Sequence, residues 1–257
     1  MKLHRHLVIG TVLLLAACAQ NNPDSGVVQG ESQTLNGASV NSWAKVGQDG
    51  QVIQAGVTIP MASIQNGPTT GDPVVAHLDF PVQAQQTTFL NHLSVDWNPQ
   101  GHPPMERYGT PHFDFHVHGG SQADVQAINC ADLTQIDPAN VPQGWLPPVP
   151  PGDAPQDHCV PTMGFHSLPT TEFASPGVLK PGLFDKVMIV GSYKQQFVFL
   201  EPMVTREQLL RKESFTLPVP MPRNLGRTTR YPTKFEAVWD NAKDAYHFIL
   251  SDFQQVQ

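Results

Sequence analysis

A short segment near the middle of the chain alternates between polar and apolar side chains with a period of two. Residues 111–118 read Pro-His-Phe-Asp-Phe-His-Val-His. In a β-strand successive side chains point to opposite faces of the sheet, so one face of this segment is apolar and suits a core. The opposite face carries four successive metal ligands or proton carriers, which are His112, Asp114, His116 and His118. The segment therefore predicts a β-strand whose polar face has a function.

The remaining sequence also favours strands over helices. From Trp43 onward, short apolar runs are broken by glycine, proline and asparagine, and only 14% of the residues are charged. Such punctuation is typical of β-rich domains. The predicted strands lie at residues 52–53, 57–59, 74–80, 88–97, 187–193, 196–200, 234–239 and 246–251. We therefore predict a mainly β single domain over residues 43–257, an antiparallel β-sandwich or barrel-like sheet with few short helices.

One of these short helices has a start signal of its own. Thr205 and Gln208 have the spacing of a capping box, in which the two side chains bond the exposed backbone amides of the first turn. The pattern predicts a helix from Arg206 to about Lys212.

The N-terminus has the form of a bacterial export signal. Basic residues precede an apolar run at residues 7–17, which is too short to span a bilayer. The run ends in Leu-Ala-Ala-Cys at Cys18, which resembles a lipobox and implies a signal peptide over residues 1–17 and lipid on Cys18. Ala19, the residue after the cysteine, resembles the signal that sorts lipoproteins to the outer membrane, where the protein would face the periplasm. The alternative is an ordinary signal peptide with an incidental cysteine. Residues 18–42, rich in Asn, Gln, Ser and Gly, predict a flexible tether.

The charge of the chain excludes one class of partner. The formal net charge is −7, and removal of the signal peptide takes away two basic residues and leaves −9. Binding to nucleic acid depends on clustered lysines and arginines that neutralise phosphates, and the sequence has no such cluster. We therefore predict membrane association through the lipid and no nucleic-acid partner.

Two further cysteines bracket an unusual loop. If Cys18 carries lipid, Cys130 and Cys159 form an even pair in an oxidising compartment, which favours a disulfide. Such a bond closes a loop of about 30 residues and contributes roughly 3 kcal/mol. Free thiols or thiolate metal ligands are the alternatives. The enclosed residues 137–157 are rich in proline and predict a long irregular loop, either a lid or binding loop or a plain surface excursion.

The polar face of the 111–118 strand suits a divalent transition metal, because imidazoles and carboxylates are ligands of zinc, copper, iron and manganese. Strand residues two apart are separated by about 6.6 Å and those four apart by about 13 Å, whereas metal–nitrogen bonds are about 2 Å. One strand therefore supplies a neighbouring pair, and other strands must supply the rest. We predict His116 and His166 as the core ligands, completed by His112, Asp114 or His118. A secondary polar shell is predicted from His92, Asp96, His102 and Glu201.

Other interpretations of the same residues stay open. The histidines and acids could form a metal-free pocket for a small ligand, a subunit interface, or a solvated sheet face that is common in antiparallel sheets. A purely structural lipoprotein is a further alternative. The sequence has no G-x-S-x-G elbow, no P-loop and no Rossmann glycine pattern, so it predicts no catalytic residue and leaves open whether the protein is an enzyme.

Several motifs, in order along the chain, resemble those of a bacterial family of exported, β-rich proteins of unknown function, whose structural reference comes from Thermus thermophilus. They are Asn98–Pro104, Pro111–His116, Met163–His166, Gly191–Tyr193 and Glu201–Met203. The resemblance covers roughly residues 55–250. It implies a mainly β fold, homo-oligomerisation as an option, and no established activity. The shared residues are His102, His112, Asp114, His116, His166 and Glu201. An aromatic residue near the position of His118 in the family implies a smaller role for that histidine.

Overall fold

The computed structural model describes residues 26–257 and is mainly β, which confirms the predicted fold class. The strands are β1 (Val27–Leu35), β2 (Ala38–Val46), β3 (Val52–Pro60), β4 (Val74–Asp79), β5 (His92–Asn98), β6 (His112–His118), β7 (Cys159–Val160), β8 (Gly164–Ser167), β9 (Phe173–Ser175), β10 (Val178–Leu179), β11 (Lys186–Tyr193), β12 (Gln196–Thr205), β13 (Phe215–Pro218), β14 (Thr229–Tyr231), β15 (Lys234–Asp240), β16 (Ala245–Ser251) and β17 (Gln254–Val256). The helices are α1 (Met61–Gln65), α2 (Val82–Thr87), α3 (Met105–Tyr108), α4 (Gln122–Gln126) and α5 (Arg206–Leu210), with short 3-10 turns at Pro138–Asn140, Pro155–Asp157 and Thr170–Glu172.

Two large antiparallel sheets face each other across the core. One has six strands in the order β1-β2-β3-β16-β15-β13, and the other has seven in the order β4-β5-β6-β12-β11-β8-β7. Two small ribbons, β9 with β10 and β14 with β17, complete the strands of the described residues. Phe115 on β6 and Phe248 on β16 meet between the sheets with ring centroids 4.2 Å apart. The predicted sandwich-like packing is therefore confirmed.

The alternation of β6 has the predicted orientation. Phe113, Phe115 and Val117 are buried in the core between the sheets. Leu93, Val95 and Trp97 of the neighbouring β5 belong to the same core. Because side chains alternate along a strand, the polar residues of β5 and β6 all lie on the opposite face of the seven-stranded sheet.

Some element boundaries differ from the prediction. The strand predicted from residue 88 begins at His92, because α2 ends at Thr87 and the next residues form a loop. The strand predicted to end at residue 200 continues to Thr205. Helix α5 begins at Arg206 as predicted, and the Thr205 side chain accepts a hydrogen bond from the Gln208 amide.

The prediction of a flexible tether over residues 18–42 is wrong from Val27 onward. Strands β1 and β2 pair with each other, and β2 pairs with β3 at the edge of the six-stranded sheet. Leu35 and Val40 are fully buried, so sparse but well-placed apolar residues anchor a polar segment whose backbone groups are satisfied by strand pairing. The signal peptide and Cys18 lie outside the described residues.

The predicted disulfide is present between Cys130 and Cys159 and closes the base of the proline-rich loop. Trp145 anchors the middle of this loop, because its indole Nε1 donates a 3.0 Å hydrogen bond to the Met188 carbonyl. Across the described residues, no helix has the length and apolar character that crossing a membrane requires.

Candidate metal centre

Strand β6 occupies the centre of the polar face. Its antiparallel register with β5 places four polar pairs side by side, His92 with His118, Ser94 with His116, Asp96 with Asp114, and Asn98 with His112. On its other side β6 pairs with β12, where Leu200 lies opposite Val117 and Met203 lies opposite Asp114. That register brings Glu201 of β12 beside His116.

The first cluster, which we call the Glu201 trio, consists of His116, His166 and Glu201. One ligand atom from each lies within 4.8 Å of the others. His116 Nε2 is 3.3 Å from Glu201 Oε1, and His166 Nε2 is 3.8 Å from Glu201 Oε2. His166 comes from β8 at the far side of the sheet, where its side chain is 22% exposed. His116 on β6 and Glu201 on β12 are therefore buried, and solvent reaches the trio at His166.

A carboxylate supports His116 from behind. His116 Nδ1 lies 3.1 Å from Asp96 Oδ2 and 3.5 Å from Ser94 Oγ. In metal sites, a carboxylate at one imidazole nitrogen orients the ring and increases the basicity of the other nitrogen. Asp96 is placed to do this for His116, whose Nε2 faces Glu201.

The second cluster, the Asp114 trio, consists of His102, His112 and Asp114. His112 Nε2 is 3.1 Å from Asp114 Oδ1, and His102 Nε2 is 3.3 Å from Asp114 Oδ2. Like the Glu201 trio it combines two imidazoles with one carboxylate. Its accessible member is His102, which lies on the loop after β5 and has a side chain 36% exposed.

Three of the distances within the two trios match those between ligands of one ion, and the 3.8 Å between His166 Nε2 and Glu201 Oε2 is longer. Two donor atoms bonded to a tetrahedral ion at about 2.0–2.1 Å are about 3.3 Å apart. The pairs at 3.1 and 3.3 Å are close to that separation. The atoms His112 Nε2, Asp114 Oδ1, His116 Nε2 and Glu201 Oε2 are shielded from water and have no hydrogen-bond partner within residues 26–257. Buried polar groups are normally satisfied, so these four atoms need an explanation.

Burial and mutual charge perturb the titration of both trios. Burial lowers the pKa of His116, but Glu201 and Asp96 overcome this and raise it to about 10. Burial raises the pKa of Glu201 to about 8, against the attraction of His116. Burial lowers the pKa of His166 to about 3, with repulsion from His116 adding to it. In the Asp114 trio, burial opposes the charge of His102, yet Asp114 raises its pKa to about 9.

His92 and His118 form a separate pair on the same face. Their rings stack with centroids 4.5 Å apart, and His92 Nδ1 donates a 3.0 Å hydrogen bond to the Gly120 carbonyl. Burial is the main cause that lowers the pKa of both imidazoles. A cavity of about 260 Å³ adjoins the pair under α4, and Asp96 and His116 also line it.

The structure thus divides the predicted residues into two trios instead of one shell. His116 and His166, the predicted core ligands, are joined by Glu201, and His112 and Asp114 are joined by His102. Glu201 and His102, predicted in a secondary polar shell, are each a member of one trio. His118 was predicted as a ligand and lies in neither trio. Asp96 contacts His116 from outside the Glu201 trio, and His92 stacks on His118.

Three supporting residues are absent from the predicted site. Asn98 Nδ2 donates a 2.8 Å hydrogen bond to Asp114 Oδ2, and its place on the polar side of β5 was a usable signal. The Phe199 ring packs against the rings of three histidines, at centroid distances of 4.9, 5.6 and 5.3 Å from His116, His118 and His166. It fits because Gly191 has no side chain, since a Cβ there would lie 2.2 Å from the ring.

A family model matches residues 47–97 of the chain, and its description is TTHB210-like, hypothetical protein TTHB210. The segment runs from the approach to β3 to the end of β5 and includes His92 and Asp96. The match supports the resemblance to a family of unknown function over this segment, and the motifs from Asn98 onward lie beyond it. Comparison with curated proteins and with solved structures gives no match.

Proposed function

We propose that this protein binds a divalent transition-metal ion with His116, His166 and Glu201. The observation that carries the proposal is the contact between His116 and Glu201. Their nearest atoms are 3.3 Å apart, while His116 Nε2 and Glu201 Oε2 have no hydrogen-bond partner in the described chain. Two imidazoles and one carboxylate suit zinc, copper, iron or manganese, and three protein ligands leave a coordination position for water or a substrate.

The charge of the site supports a cation. Asp96, Asp114 and Glu201 are all at least nine-tenths buried. Their ion-pair contacts are with histidines, and no lysine or arginine in residues 26–257 pairs with them. Buried carboxylates are costly unless they are paired or bind a metal. In the metal-free protein, burial opposes the charge on His102 and His116, yet the carboxylates raise the pKa of both. The protons on these histidines balance part of the negative charge, and a divalent ion would take the place of those protons.

The test is elemental mass spectrometry on the full chain, purified from the host envelope without a metal-binding tag. His166→Ala is the first variant, because His166 is the most exposed member of the trio. Glu201→Gln is the second, since it keeps the shape of the side chain and removes its charge. His158→Ala is the matched control, because His158 pairs with Asp153 on the surface.

The expected result is bound metal in the wild type and in His158→Ala, with less metal in His166→Ala and Glu201→Gln. Far-ultraviolet circular dichroism checks that all four proteins are folded. Unchanged metal content in both trio variants would reject the assignment. Absence of metal from a folded wild type after exposure to zinc, copper, iron and manganese would reject the function.

We also propose that the chain acts in the bacterial envelope as a lipoprotein anchored through Cys18. The support is the lipobox-like sequence together with the Cys130–Cys159 disulfide, because disulfides persist mainly in oxidising compartments. Labelling cells with an alkyne fatty acid tests the anchor. Label on the wild type and none on Cys18→Ala supports it, and an unlabelled wild type in the soluble periplasmic fraction contradicts it.

The cavity under α4 favours a second candidate function, the binding of a small polar ligand without a metal. Its walls include Ser94, Asp96, His116 and His118, and its volume of about 260 Å³ suits a small molecule. Native mass spectrometry of the purified protein distinguishes the two. A bound organic mass on a metal-free chain supports this alternative, and a chain carrying metal alone argues against it.

A further inference from the structure

The Asp114 trio raises a question that one ion at the Glu201 trio does not answer. The two trios are separate groups, because the ligand atoms lie within 4.8 Å of one another inside each trio and the six residues do not form one such group. One ion with bonds of about 2 Å therefore does not bind both sets of ligands. The Asp114 trio therefore needs an account of its own.

Both imidazoles of the trio have one nitrogen already committed. His112 Nδ1 is 2.7 Å from the Thr110 carbonyl oxygen, and His102 Nδ1 is 3.0 Å from the Pro103 carbonyl oxygen. A carbonyl oxygen accepts only, so each Nδ1 carries a proton and donates it. In the neutral imidazole the Nε2 atom then holds a lone pair, which is the tautomer that binds a metal.

The carboxylate is oriented as well. Asn98 Nδ2 donates a 2.8 Å hydrogen bond to Asp114 Oδ2, which leaves Oδ1 toward His112. His112 Nε2 and Asp114 Oδ1 are 3.1 Å apart, yet neither has a hydrogen-bond partner of acceptable geometry among residues 26–257. Two electron-rich atoms at that distance repel unless a proton or a metal ion lies between them.

The rings are held in place by aromatic packing. His112 contacts the Phe184 ring edge-on with centroids 5.2 Å apart, and its own side chain has no exposed surface. His102 packs against His112 at 4.8 Å. Ligands fixed by packing and by outer hydrogen bonds are a feature of metal sites, because their orientation is set before the ion binds.

We propose that His102, His112 and Asp114 bind a second divalent transition-metal ion, next to the first and sharing no protein ligand with it. The two ions would offset the three buried carboxylates Asp96, Asp114 and Glu201. His102 and His166, the two partly exposed ligands, place the accessible side of each site toward the same polar face of the sheet. This proposal does not require that the Glu201 trio be occupied.

The test is metal stoichiometry on the full chain. Metal-free protein is incubated with excess zinc(II), passed through a desalting column, and analysed for zinc per chain. The variants are His102→Ala, which removes an exposed ligand at low risk to folding, and Asp114→Asn, which keeps the shape of the carboxylate. His166→Ala reports on the Glu201 trio, and His158→Ala is the control.

The expected result is two zinc ions per chain in the wild type and control, one in His102→Ala, Asp114→Asn or His166→Ala, and none in the double variant His102→Ala/His166→Ala. One ion in the wild type that is lost with His166→Ala and kept with His102→Ala and Asp114→Asn overturns this inference and leaves the proposed function standing. The reverse pattern supports this inference and rejects the Glu201 site. No zinc in a folded wild type rejects both.

Discussion

His116 Nε2 lies 3.3 Å from Glu201 Oε1, across the boundary between β6 and β12. The two residues are far apart in sequence and meet because β6 and β12 are neighbours in the seven-stranded sheet. Both are almost fully buried on a face that also holds Asp96 and Asp114. A pair of this kind is stabilised by a proton or a metal ion between its members.

Replacing Glu201 with Gln should abolish metal-dependent stabilisation at the Glu201 trio. At a free ion concentration of 100 times Kd, an ion stabilises its native protein by about 2.7 kcal/mol. We expect zinc bound at the Glu201 trio to stabilise the wild type by this amount and to give no such gain in Glu201→Gln. The Kd for zinc at that site should rise more than about 100-fold, which exceeds the usual effect of changing a residue that only supports a ligand. Denaturant unfolding of His102→Ala and of His102→Ala/Glu201→Gln, with and without zinc, isolates the effect. Equal zinc-dependent gains in the two proteins would contradict it.

Replacing Asp96 with Asn should weaken the Glu201 trio without removing a ligand. Asp96 Oδ2 is 3.1 Å from His116 Nδ1, so its carboxylate orients the ring and increases the basicity of Nε2. We expect a loss of about 10- to 100-fold in zinc affinity at this trio. Titration with a competing zinc chelator measures it, with Asp96→Asn compared in the His102→Ala background. Affinity within about twofold of the parent would show that Asp96 has no such role.

Metal binding should release protons and strengthen as pH rises. In the metal-free protein, burial opposes the charge on His116, but Glu201 and Asp96 raise its pKa to about 10. His116 therefore carries a proton at pH 7 that the ion must displace, because a metal ligand has to be deprotonated. Affinity should increase about tenfold per pH unit for each proton released, from neutral pH up to that pKa.

Isothermal titration calorimetry in two buffers of different ionisation enthalpy counts these protons. The His102→Ala variant limits the measurement to the Glu201 trio, since burial and Asp114 together leave the pKa of His102 at about 9 and its proton would otherwise be counted too. We expect at least one proton to be released per ion near pH 7. An affinity that is independent of pH, with the same heat in both buffers, would oppose it.

Filling the space at Gly191 should disturb the site through a neighbouring ring. A Cβ there would lie 2.2 Å from the Phe199 ring, which packs on His116, His118 and His166. Overpacking of this kind costs about 1–3 kcal/mol. We expect Gly191→Ala to lower the free energy of unfolding by that amount and to weaken zinc binding. Gly144→Ala is the control, because its positive φ of 91° strains the backbone of the variant while the added Cβ meets no neighbouring atom, so it should lose stability and leave zinc affinity unchanged. Equal zinc affinity in the wild type and Gly191→Ala would show that the Phe199 ring does not position the histidines.

Removing the disulfide should destabilise the protein by restoring freedom to the unfolded chain. The bond joins residues separated by 29 positions, for which chain entropy predicts about 3–4 kcal/mol. Cys130→Ser/Cys159→Ser should lose that free energy of unfolding, and reductant should then have no further effect on it. An unfolding midpoint that is the same in the wild type and the double variant would contradict the prediction.

The alternation of polar and apolar residues, together with the turn signals, predicted which side of the strands faces the core and part of the site. The alternation of residues 112–118 is enough to place Phe113 and Phe115 in the core and His116 on the opposite face. The turn-rich connection after β5, residues 99–111, is enough to pair β5 with β6, and this brings Asp96 beside His116. Both inferences depend on neighbours in sequence, where a period of two and a turn signal carry the information.

The division into two trios could not be predicted in the same way. Glu201 reaches His116 because β12 pairs with β6 in one register, and His166 reaches Glu201 from β8 across β11. Those registers depend on the packing of the whole sheet, and a slip of one residue would turn Glu201 to the other face. Residues 27–42 were misjudged for a related reason. Their polar composition suggests a tether, but pairing with β3 and the burial of Leu35 and Val40 make them strands.

Anomalous X-ray diffraction at the zinc edge, on crystals of the full chain grown with zinc, locates any ion that is bound at the Glu201 trio. We expect a peak within about 2.0–2.2 Å of His116 Nε2, His166 Nε2 and a Glu201 oxygen. A His166→Ala crystal should lose that peak. A well-ordered His116–Glu201 pair with no anomalous density beside it, at a zinc concentration that saturates other sites in the crystal, would contradict the proposed site.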